Sequence, residues 1–346
     1  MEQQADHTNV KQKVPVHLLS GFLGSGKTTL LNQAIHYYQA AYLKVAVIMN
    51  ELGEVNLDGQ FVDEHVPMAE MLGGCICCTI RGDLGMELKS LLDEHQPDVV
   101  LIESTGAANP LEMIDGVTET SMYTYVELQS VITVVDGPEL LARSRKGGRT
   151  FKLMQDQIRC ATDLVVNKAD LLAPEQLVEV EQLVREWNAY APLTVTVRCA
   201  VEPAFFEGRG QSRLYSHTHR HDGHVCSEGC SHHEEHAGHE HVMALTYYLP
   251  GRVDSHKFEA FMKQLPEEVY RAKGIVAFSD LQGRFMFQFA YRELECFRIR
   301  PQGQVNDVAV FIGEHFEKDE LQSRLAKLFS DASDGYEAGR MDKLSN

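Results

Sequence analysis

The sequence predicts an α/β fold with a mostly parallel sheet, followed by a smaller α+β domain. Over about the first 200 residues, short apolar runs alternate with stretches of helical spacing, a pattern typical of a parallel sheet with helices on both faces. A polar, histidine-rich stretch interrupts this pattern, and a second set of strands with two helices follows it. The length of 346 residues fits two domains of ordinary size.

Composition and charge argue against several classes of protein. The hydrophobic content of 44% is enough for packed cores, and the net charge of −18 argues against nucleic acid or an anionic membrane as the main partner. No apolar run approaches the ~20 residues of a membrane span, and the polar start of the chain lacks the apolar core of a signal peptide. Eight cysteines without a secretion signal indicate a reducing compartment. We therefore expect a cytoplasmic protein whose thiols bind metal or react, rather than form disulfides.

The most informative segment is residues 21–29, Gly-Phe-Leu-Gly-Ser-Gly-Lys-Thr-Thr, which fits the phosphate-binding pattern G-x-x-x-x-G-K-[ST]. Residues 14–19 before it predict a strand, and residues 30–35 after it predict a helix. Glycines let backbone N–H groups turn toward a phosphate, and the helix N-terminus adds partial positive charge. Lys27 would bring its charge to the outer phosphates, and the Thr28 hydroxyl can hold Mg²⁺. The residues predicted to hold the nucleotide here are Gly21, Gly24, Ser25, Gly26, Lys27, Thr28 and Thr29.

Two buried strands are predicted at residues 44–49 and 98–103, because both are nearly continuous apolar runs. The first ends in an acidic loop, residues 50–59, which is where a nucleotide switch senses Mg²⁺ and the terminal phosphate. An ordinary solvated loop is equally compatible with that segment. The second ends in Glu-Ser-Thr-Gly. This places an acid three residues before a glycine, as in the D-x-x-G motif of nucleotide hydrolases. Glu103 would support Mg²⁺, and the N–H of Gly106 would meet the terminal phosphate.

A guanine-binding motif is predicted at the end of another strand, residues 163–166. It reads Asn167-Lys168-Ala169-Asp170, which fits the N-K-x-D pattern of GTPases. The Asp170 carboxylate would accept from the guanine N1–H and exocyclic amine, a pair of donors that adenine lacks. Lys168 would pack its stem against the base. Further strands at 130–136 and 193–197 and helices at 83–95 and 174–190 complete the predicted domain.

Three cysteines within four residues follow two glycines, at Cys75, Cys77 and Cys78. Thiolates are soft ligands that suit Zn²⁺ or Cu(I). Three ligands this close cannot complete a tetrahedral site alone, so we expect an open or externally completed site that suits a metal which must leave again. Small buried cysteines, or a redox pair between Cys75 and Cys78, are the alternatives.

The stretch from 217 to 241 contains nine of the sixteen histidines and almost no apolar residues, so no core can form there. Its composition predicts a linker that captures metal at low affinity, although a merely soluble linker is the alternative. The candidate ligands are His217, His219, His221, His224, Cys226, Cys230, His232, His233, His236, His239 and His241.

The last part of the chain predicts a small α+β domain of unassigned chemistry, whose aromatic residues form its core. Helices are expected at residues 255–264 and 318–329, with a frayed end from Ser330 onward. Strands are expected at 242–248, 274–278, 284–290, 296–300 and 308–312.

These motifs, in this order, resemble the CobW-like metallochaperone GTPases, which are relatives of the nickel-handling UreG and HypB proteins. The resemblance covers residues 1–200 through the motifs and 243–329 through a CobW-type C-terminal domain. It implies GTP hydrolysis coupled to delivery of a transition metal, most often zinc, to client proteins. It also implies that the three cysteines hold zinc, with Glu54 completing the site. Some relatives carry an acid where this chain has Met49, so a carboxylate-rich version of the site is not expected here.

Carried over to this chain, the resemblance makes Lys27, Thr28 and Glu103 the catalytic residues, with Thr28 and Glu103 on Mg²⁺. GTP, Mg²⁺ and Zn²⁺ are the expected ligands, a client metalloprotein is the expected partner, and a homodimer is possible. The predicted organisation is a flexible tail (1–13), a P-loop GTPase domain (14–205), the histidine-rich linker (206–241), the C-terminal domain (242–330) and a second flexible tail (331–346).

Three other functions remain open. A cobalt or nickel chaperone is one, because the affinities of those metals for such a site rank only modestly below zinc. A zinc store or sensor in which nucleotide only stabilises the fold is the second. A thiol redox protein that uses Cys75 and Cys78 is the third.

Overall fold

The computed structural model describes residues 13–51, 66–72, 79–207 and 242–341. Its first domain is built on a seven-stranded sheet in which every pairing is parallel, with strand order β3-β2-β4-β1-β5-β6-β7. The α/β class and the mostly parallel sheet are therefore confirmed. The strands are β1 (Val14–Ser20), β2 (Val45–Glu51), β3 (Met68–Leu72), β4 (Val99–Glu103), β5 (Val126–Asp136), β6 (Asp163–Asn167) and β7 (Leu193–Val195).

Helices cover both faces of this sheet. One face packs against α2 and α3 and, further along the sheet, against α4, α5 and α6, whereas the other face packs against α1. These helices are α1 (Lys27–Ala40), α2 (Thr79–His95), α3 (Pro110–Thr120), α4 (Gly137–Ser144), α5 (Arg149–Arg159) and α6 (Pro174–Trp187).

Four of these elements, β3, α3, α4 and α5, have no counterpart in the sequence prediction. Two of the missing helices start at local signals: Asn109 and Asp136 cap α3 and α4 with their side chains, and a proline follows each in the first turn. The strand β3 reads Met-Ala-Glu-Met-Leu and contains no β-branched residue, so its pairing with β2 rather than its own propensity makes it a strand.

The second domain is an antiparallel five-stranded sheet with strand order β11-β10-β9-β12-β8 and two helices. Phe258, Phe287 and Phe311 are fully buried in its core, which confirms the core role predicted for its aromatic residues. The elements are β8 (Val242–Tyr248), α7 (Ser255–Lys263), β9 (Val269–Ala277), β10 (Arg284–Ala290), β11 (Glu293–Ile299), β12 (Val308–Glu314) and α8 (Lys318–Met341).

The last helix differs from the prediction. Residues after Ser330 were expected to fray into a flexible tail from 331, but α8 continues without interruption to Met341. Residues 331–341 lack an apolar stripe and contain two glycines, which disfavour a helix. They also contain alanine, glutamate, arginine and methionine, all good helix formers, and extending a nucleated helix is much easier than starting one.

The two sheets share one apolar interface. Val310 and Ile312 of β12 belong to the same core cluster as the residues between the first sheet and α2 and α3. Tyr248 of β8 stacks on Tyr125 with 4.8 Å between ring centres, and its hydroxyl accepts a 2.9 Å hydrogen bond from the N–H of Val126. Burial raises the pKa of Tyr248 well above its ordinary value, so this hydroxyl keeps its proton.

A buried cluster of charged residues crosses the same interface. Asp115 of α3 is 3% exposed and accepts a 2.7 Å hydrogen bond from Arg271 Nη1 of β9. Lys273 of β9 is 5% exposed; its Nζ lies 3.4 Å from Asp115 Oδ1 and 2.6 Å from Glu119 Oε1. Burial lowers the pKa of Lys273 below its ordinary value of 10.5, while the two carboxylates act in the opposite direction. The charges on α3 and β9 are therefore matched where the two domains meet.

Among the residues that the structure describes, no helix combines the length and apolar character that a membrane crossing needs.

Candidate nucleotide-binding site

The phosphate loop joins the end of β1 to the start of α1, as predicted. Gly21, Gly24 and Gly26 have positive φ angles of 136°, 72° and 113°, values that other residues adopt only with strain. Gly26 is also crowded, because a Cβ there would lie 2.6 Å from Cys199 Sγ and 2.7 Å from Asn167 Nδ2. Only glycine therefore fits at this position.

The side chains expected to hold Mg²⁺ come together at one edge of this loop. Thr28 Oγ1 donates a 2.9 Å hydrogen bond to Glu103 Oε1, which joins the first turn of α1 to the end of β4. A hydroxyl and a carboxylate are hard oxygen ligands of the kind that Mg²⁺ prefers, so this pair fits the ion. The Ser25 hydroxyl is buried and has no hydrogen-bond partner among the described residues, which leaves it available to a ligand. Lys27 is 7% exposed, and its Nζ donates to the carbonyl of Phe22 at 3.3 Å.

The segment after β4 lies directly against the phosphate loop. The N–H of Ser104 donates to the carbonyl of Leu19 at 2.9 Å. A Cβ on Gly106 would lie 2.4 Å from the backbone nitrogen of Leu23, so a larger residue would push the two segments apart. Predicted from a four-residue motif, Gly106 is thus in contact with the loop that would hold the terminal phosphate.

The predicted base-binding turn is tied to the same loop through Asn167. Its Nδ2 donates to the carbonyl of Ser25 at 2.7 Å, and its Oδ1 accepts from the N–H of Cys199 at 2.8 Å. In this structure the Asn167 side chain therefore positions backbone on both sides of it. Asp170 lies on the exposed 3₁₀ turn Ala169–Leu171, next to it.

Lys168 is held by a residue that sequence analysis did not select. It adopts a left-handed conformation with φ of 62°, and its Nζ forms an ion pair with Asp136 at the end of β5. Asp136 is 6% exposed and also accepts a 3.0 Å hydrogen bond from the N–H of Glu139 as the cap of α4. The cap pattern Asp-Gly-Pro-Glu is a local signal that could have pointed to this residue.

Cys199 was also missed, and no local pattern marks it. It is fully buried against the phosphate loop, with its Sγ 3.3 Å from the carbonyl oxygen of Gly26. Burial raises the pKa of its thiol to about 12, so the thiol is neutral and donates to that carbonyl. It is a packing and hydrogen-bonding residue of the site rather than a nucleophile.

All of the residues predicted to bind transition metal lie outside the described residues: Glu54, the three clustered cysteines and the linker ligands. Across residues 13–51, 66–72, 79–207 and 242–341, no group of three or more His, Cys, Asp or Glu side chains could hold a metal ion. The backbone nevertheless places the starts of two of these segments. Met49 of β2 pairs with Glu103 of β4, and Glu51 of β2 pairs with Leu72 of β3. The strands β2 and β3, which precede the acidic loop and the cysteine segment, therefore end at the same edge of the sheet as β4 and Glu103.

Residues 15–195 match the family described as CobW/HypB/UreG, nucleotide-binding domain. The chain belongs to this family. Residues 242–329 of this CobW/HypB/UreG family member match the Cobalamin synthesis protein cobW C-terminal domain, so both of its domains have a family counterpart.

The family member is similar to several named proteins. Zinc-regulated GTPase metalloprotein activator 1 of Dictyostelium discoideum is 34% identical over 218 residues, covering 53% of this chain and 45% of that protein. The chain thus spans about half the length of that relative. Zinc chaperone YjiA of Escherichia coli is 28% identical over 329 residues, covering 91% of this chain and 98% of that protein. The crystal structure of Zn(II)-bound YjiA GTPase from E. coli covers 91% of this chain and 99% of its own, with 23% identity and a TM-score of 0.45.

Proposed function

We propose that this chain is a GTP-hydrolysing metallochaperone that binds zinc at Cys75, Cys77 and Cys78 and transfers it to a client protein. The observation that carries the proposal is the strand order β3-β2-β4-β1. The cysteines follow β3, the acidic loop with Glu54 follows β2, Glu103 is the last residue of β4, and the phosphate loop follows β1. Adjacent strands lie about 4.8 Å apart, so the cysteine segment begins only two strand spacings, about 10 Å, from Glu103.

In the proposed reaction, the N–H groups of residues 24–29 and the Lys27 ammonium hold the phosphates of GTP, while Asp170 accepts from the guanine. Thr28 and Glu103 would hold Mg²⁺, which when bound offsets part of the phosphate charge. Water attacks the terminal phosphorus, and the products are GDP and inorganic phosphate. Gly106 is followed by two alanines rather than a glutamine that could orient this water. We therefore expect slow turnover of the isolated protein, below ~1 s⁻¹, with a partner or a metal as activator.

Zinc release would follow from the state of the acidic loop. With GTP bound, the loop that carries Glu54 is ordered by the terminal phosphate, and Glu54 completes a site made by the three thiolates. Hydrolysis removes that phosphate, which releases the loop and weakens the site. The names of the relatives support zinc as the cargo, and three soft thiolates favour it over metals that prefer oxygen ligands. The linker histidines and cysteines would collect zinc weakly and pass it inward.

Zinc should bind more tightly in the presence of a non-hydrolysable GTP analogue than in the presence of GDP. Linkage requires zinc to tighten GTP by the same factor, and couplings of this kind are typically ~5–150-fold. Competition against a chromophoric zinc chelator measures the zinc affinity in each nucleotide state. Equal affinities in the two states would remove nucleotide gating from the proposal and favour a zinc store.

Two variants separate the tight site from the linker. Replacing Cys75, Cys77 and Cys78 by serine should abolish tight binding, whereas Cys296→Ser, at an exposed cysteine of β11, should leave it unchanged. Deleting residues 217–241 should lower the number of zinc ions bound and preserve both the tight site and GTP binding. Loss of GTP binding on that deletion would show that the segment is structural.

Metal analysis of protein purified without added metal distinguishes zinc from cobalt or nickel. Absence of metal together with a measurable disulfide couple would favour redox chemistry.

Asp170→Asn should weaken GTP binding by roughly 100-fold, because two hydrogen bonds to a charged acceptor are lost. The amide can instead donate to the 2-oxo group of xanthine, so binding of xanthosine triphosphate should improve. Titration calorimetry with both nucleotides measures the exchange of preference. The same substitution at half-exposed Asp156 of α5, outside the turn, should change neither affinity. Unchanged GTP binding in Asp170→Asn would contradict guanine recognition at this turn.

A further inference from the structure

A strained loop, residues 197–201, contacts both the phosphate loop and the predicted base-binding turn. Arg198 and Cys199 both adopt left-handed conformations, with φ of 52° and 53°, although neither is glycine. Consecutive residues in that region are costly for L-amino acids and persist only when surrounding contacts hold them. The loop follows β7, and Ala169 of the base-binding turn donates to the carbonyl of Thr196 at 3.1 Å. The conformation of this loop therefore affects the backbone next to both the phosphate loop and the base-binding turn.

Gln33 on the second turn of α1 holds this loop from the phosphate side. Its Nε2 donates to the carbonyl of Cys199 at 2.8 Å, and its Oε1 accepts from the N–H of Val201 at 3.3 Å. Asn167 holds the same loop from the base side, through the N–H of Cys199. The backbone at Cys199 is thus fixed at its N–H by one carboxamide and at its carbonyl by another.

We infer that Gln33 is a positioning residue for the nucleoside half of the GTP site. It fixes the loop at residues 197–201 to the same helix that carries Lys27 and Thr28, so that base and phosphate contacts form together. The inference rests on the proposed GTP function, since it concerns the geometry of that site. Gln33 touches backbone only; it acts on the nucleotide through the loop.

The chemistry of the contact requires a carboxamide of this length. The loop presents an acceptor at Cys199 and a donor at Val201, and glutamine offers the matching donor and acceptor on one planar group. Methionine keeps the shape of Gln33 and makes neither hydrogen bond. Glutamate can accept from Val201, but its carboxylate faces the carbonyl oxygen of Cys199 and repels it.

Gln33→Met should raise KM for GTP about tenfold and leave kcat within twofold of the wild type. The KM change corresponds to the loss of two neutral hydrogen bonds, and KM reports binding when chemistry is slow. The value of kcat should persist because the phosphate contacts are intact, whereas general damage to the fold would lower kcat as well. Steady-state GTPase assays of the full chain give both constants, and differential scanning fluorimetry records the melting temperature.

Gln39→Met is the matched control, because its side chain lies further along α1 and makes no hydrogen bond with the described residues. Gln33→Glu provides a second variant if Gln33→Met folds poorly, and its KM should rise at least as much. A wild-type KM in Gln33→Glu, or an equal fall of kcat in Gln33→Met, would overturn the inference. Failure of the proposed function is a separate result, because it would appear in the wild type as equal use of GTP and ATP.

Discussion

Lys27→Ala should lower kcat/KM for GTP by about 1,000-fold, the upper end of what one electrostatic contact to a transition state contributes. Lys27 is 7% exposed at the base of the phosphate loop, so its ammonium acts in a partly desolvated setting. Its Nζ donates to the carbonyl of Phe22 at 3.3 Å, within the loop that would hold the phosphates. A phosphate-release assay under saturating and limiting GTP measures the effect.

Lys146→Ala is the control, because Lys146 is exposed after α4 and should give wild-type kinetics. Turnover within tenfold of the wild type in Lys27→Ala would contradict the role of the loop.

The same variant distinguishes two proposed functions when it is tested in cells. A GTP-driven carrier loses its contribution to zinc delivery with this substitution, whereas a zinc store keeps it.

Asp115→Ala should destabilise the protein by about 3–5 kcal/mol, the usual effect of removing one partner from a buried ion pair. Asp115 is 3% exposed and partners both Arg271 and Lys273 across the domain interface. Its removal leaves Lys273 buried with only the more exposed Glu119. Chemical denaturation followed by tryptophan fluorescence and by circular dichroism measures the loss, and two probes reveal whether the domains unfold together.

Glu119→Gln is the matched control on the same helix, and its effect should be smaller because that side chain is 38% exposed. Replacing both charges by apolar residues of similar size, as in Asp115→Leu with Lys273→Met, should recover most of the lost stability. An Asp115→Ala variant as stable as the wild type would show that the cluster contributes nothing to holding the domains together.

The same cluster predicts how stability depends on alkaline pH. Burial lowers the folded-state pKa of Lys273 below 10.5, while Asp115 and Glu119 raise it and Arg271 lowers it. At pH values between the folded-state pKa and 10.5, the unfolded chain binds more protons at this lysine than the folded protein does. The free energy of unfolding therefore increases with pH across this range, and the gain is lost as the pH falls through the folded-state pKa. The wild type should therefore gain stability relative to Lys273→Met as the pH rises toward 10.5.

Local sequence was sufficient for the fold class and the phosphate loop. Buried parallel strands read as continuous apolar runs, and the glycine–lysine–threonine pattern needs nothing beyond the strand and helix on either side of it. The same holds for most of the core of the second domain, where Phe258, Phe287 and Phe311 are buried as predicted, although Phe297 of β11 is 56% exposed. Elements without such a signal were missed: β3 has no β-branched residue, and the end of α8 has no apolar stripe.

Tertiary structure alone decided how the motifs cooperate. Residues 25, 33, 167 and 199 meet although more than 130 residues separate the first pair from the second. Gln33 binds backbone groups, and every residue type has a backbone N–H or C=O to offer. No pattern of side chains in the sequence therefore marks Gln33 or Cys199 as part of the site. The strand order also cannot be read from local sequence, because pairing between strands that are distant in the chain determines which loops are neighbours. For this reason the residues of the cysteine motif alone predict a metal site, while only the sheet shows that β3, the strand before that motif, lies two strands away from β4 and Glu103.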